Sequence, residues 1–222
     1  MKKAVIFDLD GLLIDSEIIS YQIYCDILGK YGHSLTVEEY ARTLSGKTAV
    51  VNMKNVIASY HLPFTLEEAL TFEEGIEKDY LKKGVALKPG AKELLQYLEE
   101  HQIKILLASS SLKDRAMGIL IENKIDHYFD DMVFGPEVKR GKPFPDIFLK
   151  ACEKAGEKAD NCLVLEDSEA GLQAAHSAGI DVICIPDMKP PGEEFKKMAV
   201  CMLPSLENVI GYLDHTDSRS RI

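Results

Sequence analysis

The sequence predicts an α/β protein: a parallel sheet with helices on both faces, plus an inserted unit built from helices alone. Three observations carry that prediction. Ala4-Val5-Ile6-Phe7 is a short apolar run that ends in Asp8-Leu9-Asp10-Gly11, the pattern of a buried strand delivering acidic groups to one edge of a sheet. From Lys88 onward, apolar runs of strand length alternate with helical patterns, the order that builds a parallel sheet covered on both faces. Between these two regions the chain offers helical patterns and no clear strand.

In chain order, the first strand spans Ala4 to Phe7. A helix follows from about Glu17 to Leu28, with Ile18, Ile19, Ile23, Ile27 and Leu28 as its apolar stripe, Ser16 as N-cap and Gly29 or Gly32 as stop. Thr36-Val37-Glu38-Glu39 and Thr65-Leu66-Glu67-Glu68 each place a threonine three residues before a glutamate, the reciprocal cap that satisfies free donors at a helix start. Thr48 to Tyr60 carries Val51, Val56 and Ile57 at helical spacing, and Pro63 breaks it. Four consecutive helices inside an alternating chain define a separate unit over residues 15–83, inserted into a core made of residues 1–14 and 84–222. Two close crossing points would let such a unit act as a lid. The alternation then resumes: helix Ala91 to Glu100, strand Ile103 to Ala108, helix Ser111 to Glu122, strand Met132 to Phe134 and helix Pro145 to Ala155. Strand Cys162 to Leu165, helix Ser168 to Ala178 and strand Val182 to Ile185 complete it. A last helix is expected at Leu206 to Leu213, followed by a frayed polar tail from His215 to Ile222.

Composition narrows the function classes. The chain has 222 residues, enough for one core and a small accessory unit. A formal net charge of -10 repels a polyanion, so no nucleic-acid partner is expected, although a few local cations can hold a small anion. No apolar run reaches membrane-spanning length, and the start of the chain is too short in apolar residues for a signal peptide. The cysteines at 25, 152, 162, 184 and 201 lack metal-like spacing and read as reduced core residues of a cytoplasmic protein. A self-contained fold reads as a monomer.

In a parallel sheet, polar groups at successive strand ends gather on one rim. The first strand ends at Asp8 and Asp10, the second at Ser109, Ser110 and Ser111, and the fourth at Glu166, Asp167 and Ser168. The turn after the third carries Lys139, Arg140, Gly141 and Lys142. Asp-Gly after a strand is by itself a common turn, and a serine cluster before a helix is by itself a cap. Carboxylates, hydroxyls and a lysine together suit a phosphate and a hard divalent cation such as magnesium. A phosphate monoester repels an attacking anion, so its oxygens must be neutralised; a serine, backbone donors at a helix start and a lysine can do this. One carboxylate can then attack phosphorus, and a second can protonate the leaving alcohol and later activate water.

Asp8-Leu9-Asp10-Gly11 with Asp15-Ser16-Glu17, Ser109, Gly141-Lys142-Pro143-Phe144-Pro145-Asp146, and Glu166-Asp167-Ser168 with Gly171 resemble, in order, the four motifs of the haloacid-dehalogenase-like phosphotransferase superfamily. The nearest branch has a helical cap after the first motif and includes β-phosphoglucomutase and many small phosphatases. The resemblance implies a Rossmann-like core, a cap, magnesium as cofactor and a small phosphorylated metabolite as partner. It implies Asp8 as nucleophile and magnesium ligand, and Asp10 as general acid/base whose backbone carbonyl reaches the metal. Asp167 would be a metal ligand, and Glu166 a ligand or a carboxylate one step removed. Ser109 and Lys142 would bind the phosphoryl group, with Ser110 adding a backbone contact. Asp10 favours phosphoryl transfer over dehalogenation, since a halide needs no proton. Relative to β-phosphoglucomutase, the cap histidine position holds Ser20, the lysine before Gly46 is Ser45, and the distal-phosphate arginine is Ala49. The resemblance therefore implies a magnesium-dependent phosphatase, with a sugar phosphate as substrate. The alternatives are a β-phosphoglucomutase-like mutase and a non-catalytic phosphate-binding regulatory protein. Gly46, Lys47 and Arg42 are the candidate specificity residues.

Overall fold

The computed structural model describes residues 2–219. It divides into two compact units, one formed by the chain up to Asp15 together with the stretch from Ala86, the other by Ser16–Val85.

The first unit is built on six parallel strands: β1 (Ala4–Phe7), β2 (Lys104–Ser109), β3 (Asp131–Phe134), β4 (Cys162–Glu166), β5 (Asp181–Cys184) and β6 (Cys201–Met202). Their order is β3-β2-β1-β4-β5-β6. β1 lies between β2 and β4, with Phe7 opposite both Leu107 and Leu165, so its carboxyl end opens between theirs. All four residues of β1 are fully buried, which is why the strand reads as an unbroken apolar run. The elements α5 (Ala91–Glu100), α6 (Lys113–Glu122), α7 (Asp146–Ala155), α8 (Glu169–Ser177), the short α9 (Glu193–Lys196) and α10 (Glu207–Arg219) complete this unit. Alternating residues of the strands feed one core with α7 and α8, including Ile6, Leu106, Val164, Ile147, Phe148 and Leu172. Burial of such side chains stabilises by roughly 1.5–3 kcal/mol each. Within that core the Cys152 and Cys162 thiols lie 3.3 Å apart, unbridged.

The second unit holds α1 (Ser16–Gly29), α2 (Val37–Thr43), α3 (Ala49–Tyr60) and α4 (Leu66–Leu81). Both threonine–glutamate caps form: Thr36 Oγ1 accepts from the Glu39 amide at 3.2 Å, and Thr65 Oγ1 from the Glu68 amide at 3.3 Å. α1 turns Ile19, Ile23, Tyr24, Ile27 and Leu28 inward and packs on α4.

Three features differ from the sequence expectation. The helix expected from Ser111 begins at Lys113, because Ser109–Ser111 remain in the turn after β2. The final helix does not stop at Leu213 but continues to Arg219. α10 packs on α5, and Tyr97 Oη donates to Asp214 Oδ1 at 2.7 Å, which anchors the polar extension expected to fray. Ser220 to Ile222 of that expected tail lie outside the described residues. A sixth strand was not expected: Cys201 and Met202 pair with Ile183 and Cys184.

Candidate active site

The rim at the carboxyl ends of β1, β2 and β4 gathers most of the residues singled out above. Asp8 follows β1 directly, and its amide extends the sheet by donating to Leu165 O at 3.1 Å. The chain then turns sharply: Leu13 and Ile14 amides both donate to Leu9 O, and Gly11 N donates to Ile14 O at 3.0 Å. Gly11 sits at φ 83°, and a Cβ there would collide with the Asp167 carboxylate and lie 3.3 Å from Asp187 Oδ2. Glycine is thus required both for the left-handed turn and for the approach of the first motif to β4.

Lys142, in the loop between β3 and α7, bridges two carboxylates. Its Nζ donates to Asp8 Oδ1 and, at 2.5 Å, to Glu166 Oε1. The lysine is 7% exposed and Glu166 fully buried. The other Glu166 oxygen accepts from the Asp167 amide at 3.0 Å, the Ser168 amide at 3.0 Å and Ser168 Oγ at 2.9 Å. Glu166 therefore has both oxygens engaged in holding Lys142 and the turn after β4. Ser168 also caps α8, accepting from Gly171 N at 3.1 Å.

Burial pushes the Asp8 carboxyl up to about 7, with the Lys142 ammonium opposing and Glu166 adding to the rise. Burial also drives Asp167 well above the usual carboxylate range, reinforced by Glu166, Asp8 and Asp187. Lys142 is held above its usual value because Asp8 and Glu166 outweigh its own desolvation. Three clustered carboxylates thus face one ammonium, an imbalance that a divalent cation would relieve. Asp187, after β5, adds to it: Oδ1 accepts from Lys88 Nζ at 2.6 Å, while Oδ2 is buried without a hydrogen-bond partner. Among the described residues no group of three His, Cys, Asp or Glu side chains forms a ready metal cage. The site offers carboxylates in excess rather than a closed side-chain shell, and that excess fits a hydrated hard cation.

Asp10 is held apart from this cluster. Ser111 Oγ donates to its Oδ2 at 2.7 Å, and Arg115 Nη1 lies 2.9 Å from Oδ1 and 3.0 Å from Oδ2. Its side chain is 34% exposed, against 10% for Asp8. Ser109 is buried, and its Oγ accepts from the Ser111 amide at 3.1 Å, closing the turn after β2. Ser110 is exposed at the same turn. Arg115, Lys88 and Asp187 were not anticipated from the sequence. Arg115 stands one helical turn beyond Ser111, a spacing that could have flagged it.

The specificity candidates lie in the helical unit. Gly46 takes φ 73° in the turn after α2. Lys47 Nζ donates to Thr43 O at 2.6 Å and borders a cavity, whereas Arg42, in the last turn of α2, does not line that cavity.

The model of the haloacid dehalogenase-like hydrolases matches residues 5–185. The chain belongs to this family. Membership carries hydrolase activity of the phosphatase kind on small phosphorylated compounds, and it implies catalysis with magnesium. The chain is 33% identical over 181 residues to the phosphorylated carbohydrates phosphatase of Thermotoga maritima, covering 82% of this chain and 83% of that one. It is 35% identical over 197 residues to the Saccharomyces cerevisiae protein named "Probable pseudouridine-5'-phosphatase", covering 83% and 82%. Among solved structures, a haloacid dehalogenase-like protein of unknown function from Agrobacterium tumefaciens superposes with a TM-score of 0.85 at 25% identity, covering 98% of this chain and all of that one. Among the described residues no helix is long and apolar enough to cross a membrane.

Proposed function

We propose that this hydrolase releases phosphate from a sugar phosphate by way of an aspartyl-phosphate on Asp8. The observation that carries the reading is the split between the two motif aspartates: Asp8 is buried against Lys142, and Asp10 is more open and held by Ser111 and Arg115. One carboxylate is placed as an anion beside a cation, the other where a proton can come and go. The relatives named for phosphorylated carbohydrates and pseudouridine 5'-phosphate support a small phosphomonoester carrying a sugar.

In this reading an Asp8 carboxylate oxygen attacks phosphorus while the P–O bond to the sugar breaks. Asp10 gives its proton to the departing alkoxide. Asp10, now ionised, takes a proton from water; that water attacks phosphorus, breaks the bond to Asp8 and releases inorganic phosphate, and both aspartates return to their starting states. Lys142 and Ser109 hold the non-bridging phosphoryl oxygens, with backbone donors near Ser110. Glu166 keeps Lys142 in place. Asp8, Asp167 and the Asp10 backbone carbonyl would hold magnesium, which when bound supplies positive charge to the phosphoryl oxygens.

The test is phosphate release from a panel of phosphorylated metabolites with and without magnesium, alongside Asp8→Asn. The panel includes β-glucose 1-phosphate, with glucose 6-phosphate formation followed separately. Magnesium-dependent release from sugar phosphates, lost in Asp8→Asn, is expected. Turnover that survives Asp8→Asn, or isomerisation without release, would overturn the reading.

A further inference from the structure

Asp187, in the loop after β5, stands outside the set of Asp8, Asp10 and Asp167 that would hold magnesium. Its side chain is 9% exposed. Oδ1 is committed, accepting from Lys88 Nζ at 2.6 Å. Lys88 is itself steadied from a second side by Asp15, 3.8 Å away. Oδ2 is buried and has no hydrogen-bond partner. Buried polar atoms in folded proteins are almost always satisfied, and a bare carboxylate oxygen is among the costliest exceptions.

The direction of Oδ2 decides what can satisfy it. A Cβ on Gly11 would collide with Asp167 Oδ2 and stand 3.3 Å from Asp187 Oδ2. The two oxygens thus border one small space beside Gly11, within reach of a single water molecule. Gly11, Lys88, Asp167 and Asp187 all belong to the first unit. The nearby ammonium groups are engaged elsewhere: Lys88 on Oδ1, and Lys142 on Asp8 and Glu166. Two carboxylates therefore face each other with a proton donor and a positive charge still wanting between them.

A hydrated cation supplies both. Among the described residues no three acidic side chains close into a metal cage, so Asp187 is not placed as a further direct ligand beside Asp8 and Asp167. Magnesium keeps several of its waters when a protein binds it, and those waters are donors. Partners one step removed from a metal fix the groups that touch it, and their loss typically weakens binding by about 10–100-fold.

We propose that Asp187 is a positioning residue for the magnesium: Oδ2 accepts a hydrogen bond from a water of the cation that Asp167 binds directly, and Lys88 holds Asp187 in that orientation. The inference rests on the reading in which Asp8 and Asp167 hold the metal, but it needs no turnover.

The test is calorimetric titration of the full-length protein with magnesium chloride at pH 8, without substrate. Asp187→Asn should weaken binding about tenfold or more. The asparagine oxygen must face Lys88, so an NH2 group, which only donates, takes the place of Oδ2. Lys88→Met separates positioning from charge. Removing a cation would by charge alone tighten magnesium binding, whereas a freed Asp187 should weaken it several-fold, and Lys88→Arg should restore most of the loss. Should Asp187→Asn fail to fold, the Lys88 pair carries the test. Asp167→Asn is the control for the metal site and should abolish binding. Wild-type affinity in Asp187→Asn, or tighter binding in Lys88→Met, overturns the role of Asp187 while Asp167→Asn still loses the metal. Binding that survives Asp167→Asn overturns the magnesium site itself, and the role of Asp187 with it.

Discussion

Replacing Gly171 by alanine sets two simple expectations against each other. Gly171 lies in the first turn of α8, where alanine should stabilise a helix by about 1 kcal/mol. A Cβ at this position, however, would fall inside the Glu166 carboxyl group, overlapping its carbon and both oxygens. The carboxylate has nowhere to retreat, since it is fully buried and its two oxygens accept from Lys142, the Asp167 and Ser168 amides, and Ser168 Oγ. Losing two of these charge-assisted bonds at about 1.5–3 kcal/mol each costs on the order of 3–6 kcal/mol. Net of the propensity gain, Gly171→Ala should destabilise by about 2–5 kcal/mol. For a chain of this size that lowers the melting temperature by roughly 5–15 °C. A released Lys142 should also reduce turnover about tenfold or more. The assay is thermal and urea unfolding of Gly171→Ala, Glu166→Ala and the double variant. With the Glu166 side chain removed, alanine 171 has room, and adding it should be neutral or slightly stabilising. A single variant that melts at or above the wild type would refute the idea that Glu166 is pinned by the absence of a side chain at 171.

Other expectations follow from the same geometry. Arg115→Met should lower kcat about tenfold with little change in KM, because Asp10 loses a positioning partner, while stability changes by less than about 1 kcal/mol for a partly exposed pair. Partial recovery in Arg115→Lys, read from steady-state kinetics, would separate positioning from bulk. Lys142→Met should cost about 3–5 kcal/mol in urea unfolding at pH 8, since Asp8 and Glu166 are left buried without their cation, and less at pH 5, where Asp8 is protonated. Magnesium-free protein should lose stability as pH rises from about 4 to 7. A carboxyl raised on folding contributes stability that is fully present below its unfolded value near 3.8 and lost through about 7, and Asp8 behaves so. Magnesium must then displace a proton from Asp8, and burial raises Asp167 as well, so its affinity should weaken at least about tenfold per pH unit below 7, measurable by calorimetry in buffers of different ionisation enthalpy. A flat affinity from pH 5 to 7 would count against Asp8 as a ligand.

The core of the site was legible because its signals are local. A strand buried on both faces must be an apolar run, and its end is marked where that run meets polar residues, so Asp8, Ser109 and Glu166 could be assigned to one rim without any coordinates. Even the demand for glycine after the fourth strand is local, since Gly171 and Glu166 are separated by less than two helical turns of chain. What escaped notice depends on tertiary placement. β6 has only Cys201 and Met202, too short for any periodicity, and exists because β5 presents Ile183 and Cys184 as partners. The extension of α10 through polar residues is held by Tyr97, from a helix more than a hundred residues earlier. Lys88 and Asp187 meet although 99 residues separate them.

Asp10 shows where the two kinds of information divide. The Asp-x-Asp spacing is visible in the sequence, and on a continuing strand residues two apart would point the same way. The two carboxylates part because the strand ends at Phe7 and the chain turns sharply, with the Leu13 and Ile14 amides both donating to Leu9 O. The difference in environment is set by groups the spacing does not name. Lys142 arrives from the loop after β3, and Arg115 from the first turn of α6. Those two cations are distributed one to each carboxylate, Lys142 to the buried Asp8 and Arg115 to the more open Asp10. Sequence spacing thus supplies the pair, and the packing of α6 and the β3–α7 loop against the rim gives each member a distinct partner and a distinct exposure.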